Sequence, residues 1–256
     1  MRLLLLRHGR TEWNNDGRFQ GQADPPLDEV GRAQAERVGP VIAAMRPDLI
    51  VSSDLQRCQA TADRIGPRYR SDARLREIDL GRWSGLTSEQ AGRLYPEEDA
   101  AWRRGEDIPR GGGETYRDVA ARAGALFDEL VTAGLPGGPD SLVLFVLHGG
   151  TARSLIGHLL GLPPDTWWHF GPLRNCHWTL LSSEHGRFRI LEHNAGVPRA
   201  DKVEIGPQQG TASVVLPSQP TVGQPTLGQA TLVGDVAASA PDTDPIDSPT
   251  RPQPAR

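Results

Sequence analysis

Two short apolar runs, each stopping at a histidine followed by glycine, constrain this chain more than any other feature. Leu3 to Leu6 leads into Arg7-His8-Gly9, and Leu142 to Leu147 leads into His148-Gly149-Gly150. Such a run, ending abruptly in polar residues and glycine, reads as a buried strand that delivers its last side chains to the carboxyl edge of a sheet. Open α/β folds bind ligands at that edge. If the two strands are parallel neighbours their backbones lie roughly 4.8 Å apart, so His8 and His148 can face one small anion.

Segments 2–6, 48–52, 142–147, 177–182 and 187–192 read as strands. Residues 28–45 carry Val30, Ala33, Val38, Val41, Ile42 and Met45 at helical spacing, and 54–65, 115–131 and 150–160 also read as helices. The alternation predicts an α/β fold with a mainly parallel central sheet and helices on both faces. Residues 1–206 are expected to form one folded domain. From 207 to 256 there is no aromatic residue, proline is frequent, and a loose five-residue repeat runs through Pro220 to Gln229. That composition cannot bury enough apolar surface to offset its ordering entropy, so a disordered tail is expected there.

A formal charge of -4 gives no field that would draw the chain onto nucleic acid or an anionic membrane. Of 28 basic residues Lys202 is the sole lysine, so an arginine here must argue for phosphate binding by position and not by type. Cys58 and Cys176 are too few for a disulfide framework. The run of four leucines near the start is far shorter than a signal or membrane segment. A cytoplasmic protein is expected.

Two further polar residues can be placed by their surroundings. Leu49 to Ser52 leads through Ser53 and Asp54 into a helix whose first turn carries Arg57, near the helix's positive end. Arg57 either presents a bidentate fork to an anion at the His8 edge or is a solvated helix arginine. Glu77 lies between Leu75 and Ile78, ahead of Gly81 and Trp83. It is either a surface carboxylate or a partly desolvated general acid. Spacing alone does not choose.

The residues that carry a resemblance are Arg7-His8-Gly9-Arg10-Thr11-Glu12-Trp13-Asn14, Pro26 to Ala35, Ser52 to Ala62, the Glu77 segment and His148-Gly149-Gly150. In that order and spacing, from residue 2 to about residue 195, the chain resembles the phosphoglycerate mutase-like branch of the histidine phosphatase superfamily. Gly21 to Asp24 and Ser52 to Leu55 look similar to its glucosyl-3-phosphoglycerate-type phosphatases, while a broad-specificity phosphatase acting on other small phosphoesters fits equally well. The resemblance implies a metal-independent phosphomonoester hydrolase without a cofactor, acting on a small phosphorylated metabolite. In it His8 would be the nucleophile and form a phosphohistidine. Arg7, Asn14, Arg57, His148 and Gly149 would bind the phosphoryl group, and Glu77 would protonate the leaving oxygen and then activate water. Arg10, Gln20 and Gly21 are the candidates for contacts with the rest of the substrate. The resemblance leaves a homodimer open.

Departures from the family pattern narrow the expectation. Mutases of the family carry Arg-His-Tyr after the acid, where this chain has Ile78-Asp79-Leu80, so a phosphoglycerate mutase is the second reading. His148 is followed by Gly149 and not by the Asp of the acid phosphatase branch, which leaves Glu77 as the proton donor. Arg10 replaces a common Glu or Gln and either adds charge at the rim or points outward. Asp28 replaces a common Thr, exchanging one competent N-cap for another. Trp102-Arg103-Arg104 falls in the family's variable cap and reads more readily as a solvated helix end than as a substrate contact. Trp167, Trp168 and His169 read as core anchors. A non-catalytic phosphate- or partner-binding module is the reading of another class.

Overall fold

The computed structural model describes residues 1–197, so the expected boundary at 206 and the expected tail at 207–256 lie outside the described residues. Among the described residues six strands form one sheet: β1 (Arg2–Arg7), β2 (Leu49–Ser52), β3 (Arg70–Ser71), β4 (Leu142–Leu147), β5 (Trp178–Glu184) and β6 (Arg187–Ala195). Their order is β3-β2-β4-β1-β5-β6. The four strands from β3 to β1 are mutually parallel, whereas β5 pairs antiparallel to β1, and β6 antiparallel to β5. The sheet is therefore mixed. A local cause fixes the last two strands: His185 and Gly186 join them with φ of 51° and 74°, and a two-residue loop with both φ positive can only close an antiparallel hairpin.

Seven α-helices accompany the sheet among the described residues: α1 (Glu12–Asn15), α2 (Glu29–Ala44), α3 (Gln56–Ala62), α4 (Ser88–Leu94), α5 (Pro96–Arg103), α6 (Tyr116–Ala133) and α7 (Gly149–Leu159). The central strands have two buried faces, which is why their sequences are continuous apolar runs and not alternating ones. Leu3, Leu5, Val143 and Phe145 pack with Ala123, Leu126 and Phe127 of α6 and Leu155 and Ile156 of α7. Leu4, Leu6, Leu144 and Val146 face the other way, onto Ala35, Val38 and Ile42 of α2 and Cys58 and Ala62 of α3. Each buried leucine contributes about 2 kcal/mol of transfer free energy, so the strands that carry the histidines are firmly anchored in the core.

A third cluster, absent from the sequence reading, joins Phe19, Trp83, Trp102, Tyr116 and Trp167 beside the sheet's carboxyl edge. Trp83 and Trp102 meet edge to face with centroids 5.9 Å apart, the geometry aromatic quadrupoles favour. Trp167 and Trp168 serve packing, but His169 is exposed and is no core anchor. Among the described residues no helix is long and apolar enough to cross a membrane.

Candidate active site

The paired register of β1 and β4 brings the two histidines together. Arg7 stands opposite Leu147, the His8 amide donates to the Leu147 carbonyl at 3.0 Å, and the imidazole centroids are 5.1 Å apart. His8 Nδ1 lies 2.7 Å from the Gly9 carbonyl oxygen. A carbonyl only accepts, so the proton sits on Nδ1 and the lone pair on Nε2. At His148, Arg57 Nε donates to Nδ1 at 3.3 Å, and Nε2 lies 3.0 Å from Ser53 Oγ. The His148 proton therefore sits on Nε2. Burial, and then the guanidinium of Arg57, hold both imidazoles well below the ordinary 6.5 of a histidine.

Arg57 is fully buried. Its Nη1 donates to the Ala23 carbonyl at 2.6 Å and its Nη2 to that of Gly21 at 2.9 Å. The fork expected for an anion is thus oriented by the loop that follows α1, and Gly21 meets Arg57 through its backbone. Arg7 is anchored by donation from Nη1 to the Leu173 carbonyl at 2.6 Å. Glu77 reaches across to the start of α7: its carboxylate accepts from the amides of Gly150 and Thr151, each at 3.1 Å. His148, the N-cap residue of α7, makes no side-chain cap bond. Glu77 satisfies two of the amides that a helix leaves orphaned at its N-terminus, and helix and carboxylate fix each other.

These groups meet in one cleft lined by Arg7, His8, Gln20, Gly21, Arg57, Glu77, Ile78, Leu80 and Arg110. His148 abuts it through His8 and Arg57, and Gly149 opens α7 directly behind. Asn14 stands outside the lining. Its Oδ1 accepts from the Thr11 amide at 3.2 Å and from Asn175 Nδ2 at 3.3 Å, while that same amide nitrogen donates to the His8 carbonyl at 3.0 Å. Arg10 is also outside, with Nε 2.8 Å from Asp28 Oδ2. Arg104 is exposed and pairs with Glu106, as at a solvated helix end, whereas Arg103 is half-buried and pairs with the buried Asp99. Sequence reasoning missed Arg110. In so arginine-rich a chain only its position before Gly111-Gly112-Gly113 set it apart.

No group of three His, Cys, Asp or Glu side chains among the described residues could hold a metal ion. The model of the histidine phosphatase superfamily (branch 1) matches residues 3–196. The chain belongs to that superfamily. A glucosyl-3-phosphoglycerate phosphatase of Mycobacterium tuberculosis is 43% identical to this histidine phosphatase over 189 residues, 71% of this chain and 85% of the relative. The solved structure of a mycobacterial glucosyl-3-phosphoglycerate phosphatase with VO3 matches with a TM-score of 0.72 at 42% identity, covering 76% of this chain and 99% of the other. A 2,3-bisphosphoglycerate-dependent phosphoglycerate mutase of Brucella melitensis is 35% identical over 173 residues, 64% of this chain and 83% of the relative. The superfamily's reaction runs through a phosphohistidine, for which the neutral His8 with its lone pair on Nε2 is chemically suited.

Proposed function

We propose that this histidine phosphatase hydrolyses a small phosphomonoester at His8. Nε2 attacks phosphorus in line and the P–O bond to the alcohol breaks, while the carboxyl proton of Glu77 passes to the departing oxygen. Water then attacks the phosphohistidine. Its proton returns to Glu77, the P–N bond breaks to restore His8, and inorganic phosphate leaves. Arg7 and Arg57 bear on the phosphoryl oxygens, where preorganised charge supplies the largest catalytic term, and His148 holds the Arg57 guanidinium through Nδ1. Asn14 is proposed to act through Asn175 on the His8 backbone, and Gln20 and Gly21 to shape the wall opposite.

The observation that carries this reading is the hydrogen bond from His8 Nδ1 to Gly9, which fixes the attacking tautomer in a cleft lined by three arginines and a carboxylate. The mutase reading is weaker because Ile78 and Leu80 are apolar and line the cleft, where mutases carry Arg-His-Tyr. The name of the relative at 43% identity makes a phosphorylated glycerate derivative the first ester to try.

The test is a panel of phosphomonoesters assayed with chelator present, using the wild type, His8→Ala and Glu77→Gln. Loss of turnover in His8→Ala and selective loss on poor leaving groups in Glu77→Gln are expected. Activity abolished by EDTA would refute the metal-free mechanism. Stimulation by a bisphosphorylated primer, with slow discharge to water, would favour the mutase. An intact biological role in His8→Ala would favour a binding module.

A further inference from the structure

We propose that Arg110 is the docking point for a carboxylate that the substrate carries beside its phosphoester, an assignment that rests on the phosphomonoesterase reading. Arg110 lines the cleft with His8, Arg57 and Glu77 and is only 1% exposed. Its guanidinium carbon lies 5.2 Å from the ring centroids of both Trp102 and Tyr116, and Nη2 donates to the Tyr116 hydroxyl at 3.1 Å. Nη1 is buried and has no hydrogen-bond partner among the described residues. Arg10, Arg103 and Arg104 each hold a carboxylate of the chain itself. No such carboxylate is within ion-pair distance of Arg110 among the described residues.

A buried guanidinium without an anion is costly, and two aromatic faces recover only part of that cost. Proteins retain such a group where something binds to it, as they do at sites that recognise carboxylates and phosphates. The backbone holds Arg110 rigidly in place. Gly111 has φ of 60°, and a Cβ there would lie 2.4 Å from the Leu80 carbonyl oxygen, so only glycine lets this loop press against the strand of chain that follows Glu77. The Gly111 amide also donates to Glu98 at 2.7 Å. The backbone at Arg110 is therefore fixed by the fold, and the two aromatic rings and the Tyr116 hydroxyl hold its guanidinium.

The charge count favours a carboxylate over a second phosphoryl group. Arg110 is a single guanidinium sharing the cleft wall with apolar Ile78 and Leu80, its Nη2 already given to Tyr116, enough for a single negative charge, whereas the guanidinium groups of Arg7 and Arg57 cluster at the histidine end for the dianionic ester.

Two esters with the same three-carbon body separate the possibilities: 3-phosphoglycerate, and glycerol 3-phosphate with a hydroxymethyl in place of the carboxylate. The ratio of their kcat/KM values should fall by about 10- to 100-fold in Arg110→Met, mainly through KM, and Arg110→Lys should restore part of it. If Arg110→Met unfolds, as judged by circular dichroism, Arg110→Gln serves the same comparison. An unchanged ratio, with both esters slowed alike, would mean a structural arginine and overturn the proposal. An Arg110-dependent preference for propane-1,3-diol bisphosphate over 3-phosphoglycerate would overturn the carboxylate assignment. A wild type that hydrolyses p-nitrophenyl phosphate but does not distinguish the two esters rejects Arg110 alone. Inactivity on every ester rejects the phosphatase reading, and this assignment with it.

Discussion

The carboxylate of Glu77 lies 3.1 Å from the amide nitrogen of Gly150, and a methyl group on Gly150 would sit 2.6 Å from its other oxygen. The acid is thus located by a helix terminus drawn from the opposite half of the chain, and the absence of a side chain at Gly150 is what lets it approach. Gly150→Ala must push the carboxylate aside. Displacements of about 1 Å cost roughly 100-fold in positioned catalysis. We expect kcat on an alkyl phosphate to fall about 10- to 100-fold, and much less on p-nitrophenyl phosphate, whose leaving group needs no proton. Equal losses on both would remove Glu77 from the acid role.

Acidification should act on both histidines. His8 and His148 have their pKa values held below 6.5 by burial and by Arg57, whereas in the unfolded chain they titrate near 6.5. Below that pH the unfolded state binds more protons than the folded one. The stability they contribute is therefore complete above 6.5 and is lost as pH falls toward the folded values. Each histidine accounts for up to about 1.4 kcal/mol per pH unit in that window. Urea melts between pH 7 and 5.5 should record the slope, and His148→Gln should roughly halve it. The acid limb of kcat/KM assigned to His8 should also lie below 6.5.

Arg10 and Asp28 should behave as a pair. Each departs from the common family residue, and their side chains meet at 2.8 Å while Asp28 also caps α2 through the Gly31 amide at 2.6 Å. The charge of Arg10 is spent inside the chain. Arg10→Gln should alter kcat/KM by less than about threefold, while Asp28→Ala should cost about 1 kcal/mol of stability through the lost cap. A double-mutant cycle should give a coupling of about 0.5 kcal/mol, since the pair is partly solvated. A tenfold rise in KM for Arg10→Gln would return Arg10 to the substrate.

The thiols should be silent in the folded protein. Burial pushes Cys176 up to about 12 and Cys58 higher still, so the thiolate that reacts is scarce at neutral pH. Iodoacetamide at pH 8 should modify neither residue until denaturant is added. Rapid labelling of Cys58, whose sulfur lies 3.4 Å from His148 Nε2, would show that the cleft opens.

The elements that bury their own side chains were legible in the sequence. Continuous apolar runs marked β1 and β4, and helical spacing marked α2, α6 and α7 to within a residue or two. The short α1, α4 and α5 and the two-residue β3 were not legible, because their few apolar positions make no period. Of these, α4 and α5 acquire stability from the aromatic cluster around Trp83 and Trp102, through Ala91 and Trp102, which forms only when distant segments meet. His8, Glu77, Arg57 and His148 could be nominated through motif order and family resemblance. Arg110 could not, since an arginine among so many carries no signal until its burial is seen.

The sequence alone determined which strands are core and that histidines stand at their ends, because hydrophobic periodicity and glycine placement are local properties of the chain. Tertiary structure decided which charges remain available to a ligand. Whether Arg10 answers Asp28, or Arg110 is left without an acid, depends on distances between segments far apart along the chain, and electrostatic pairing follows those distances, not residue type.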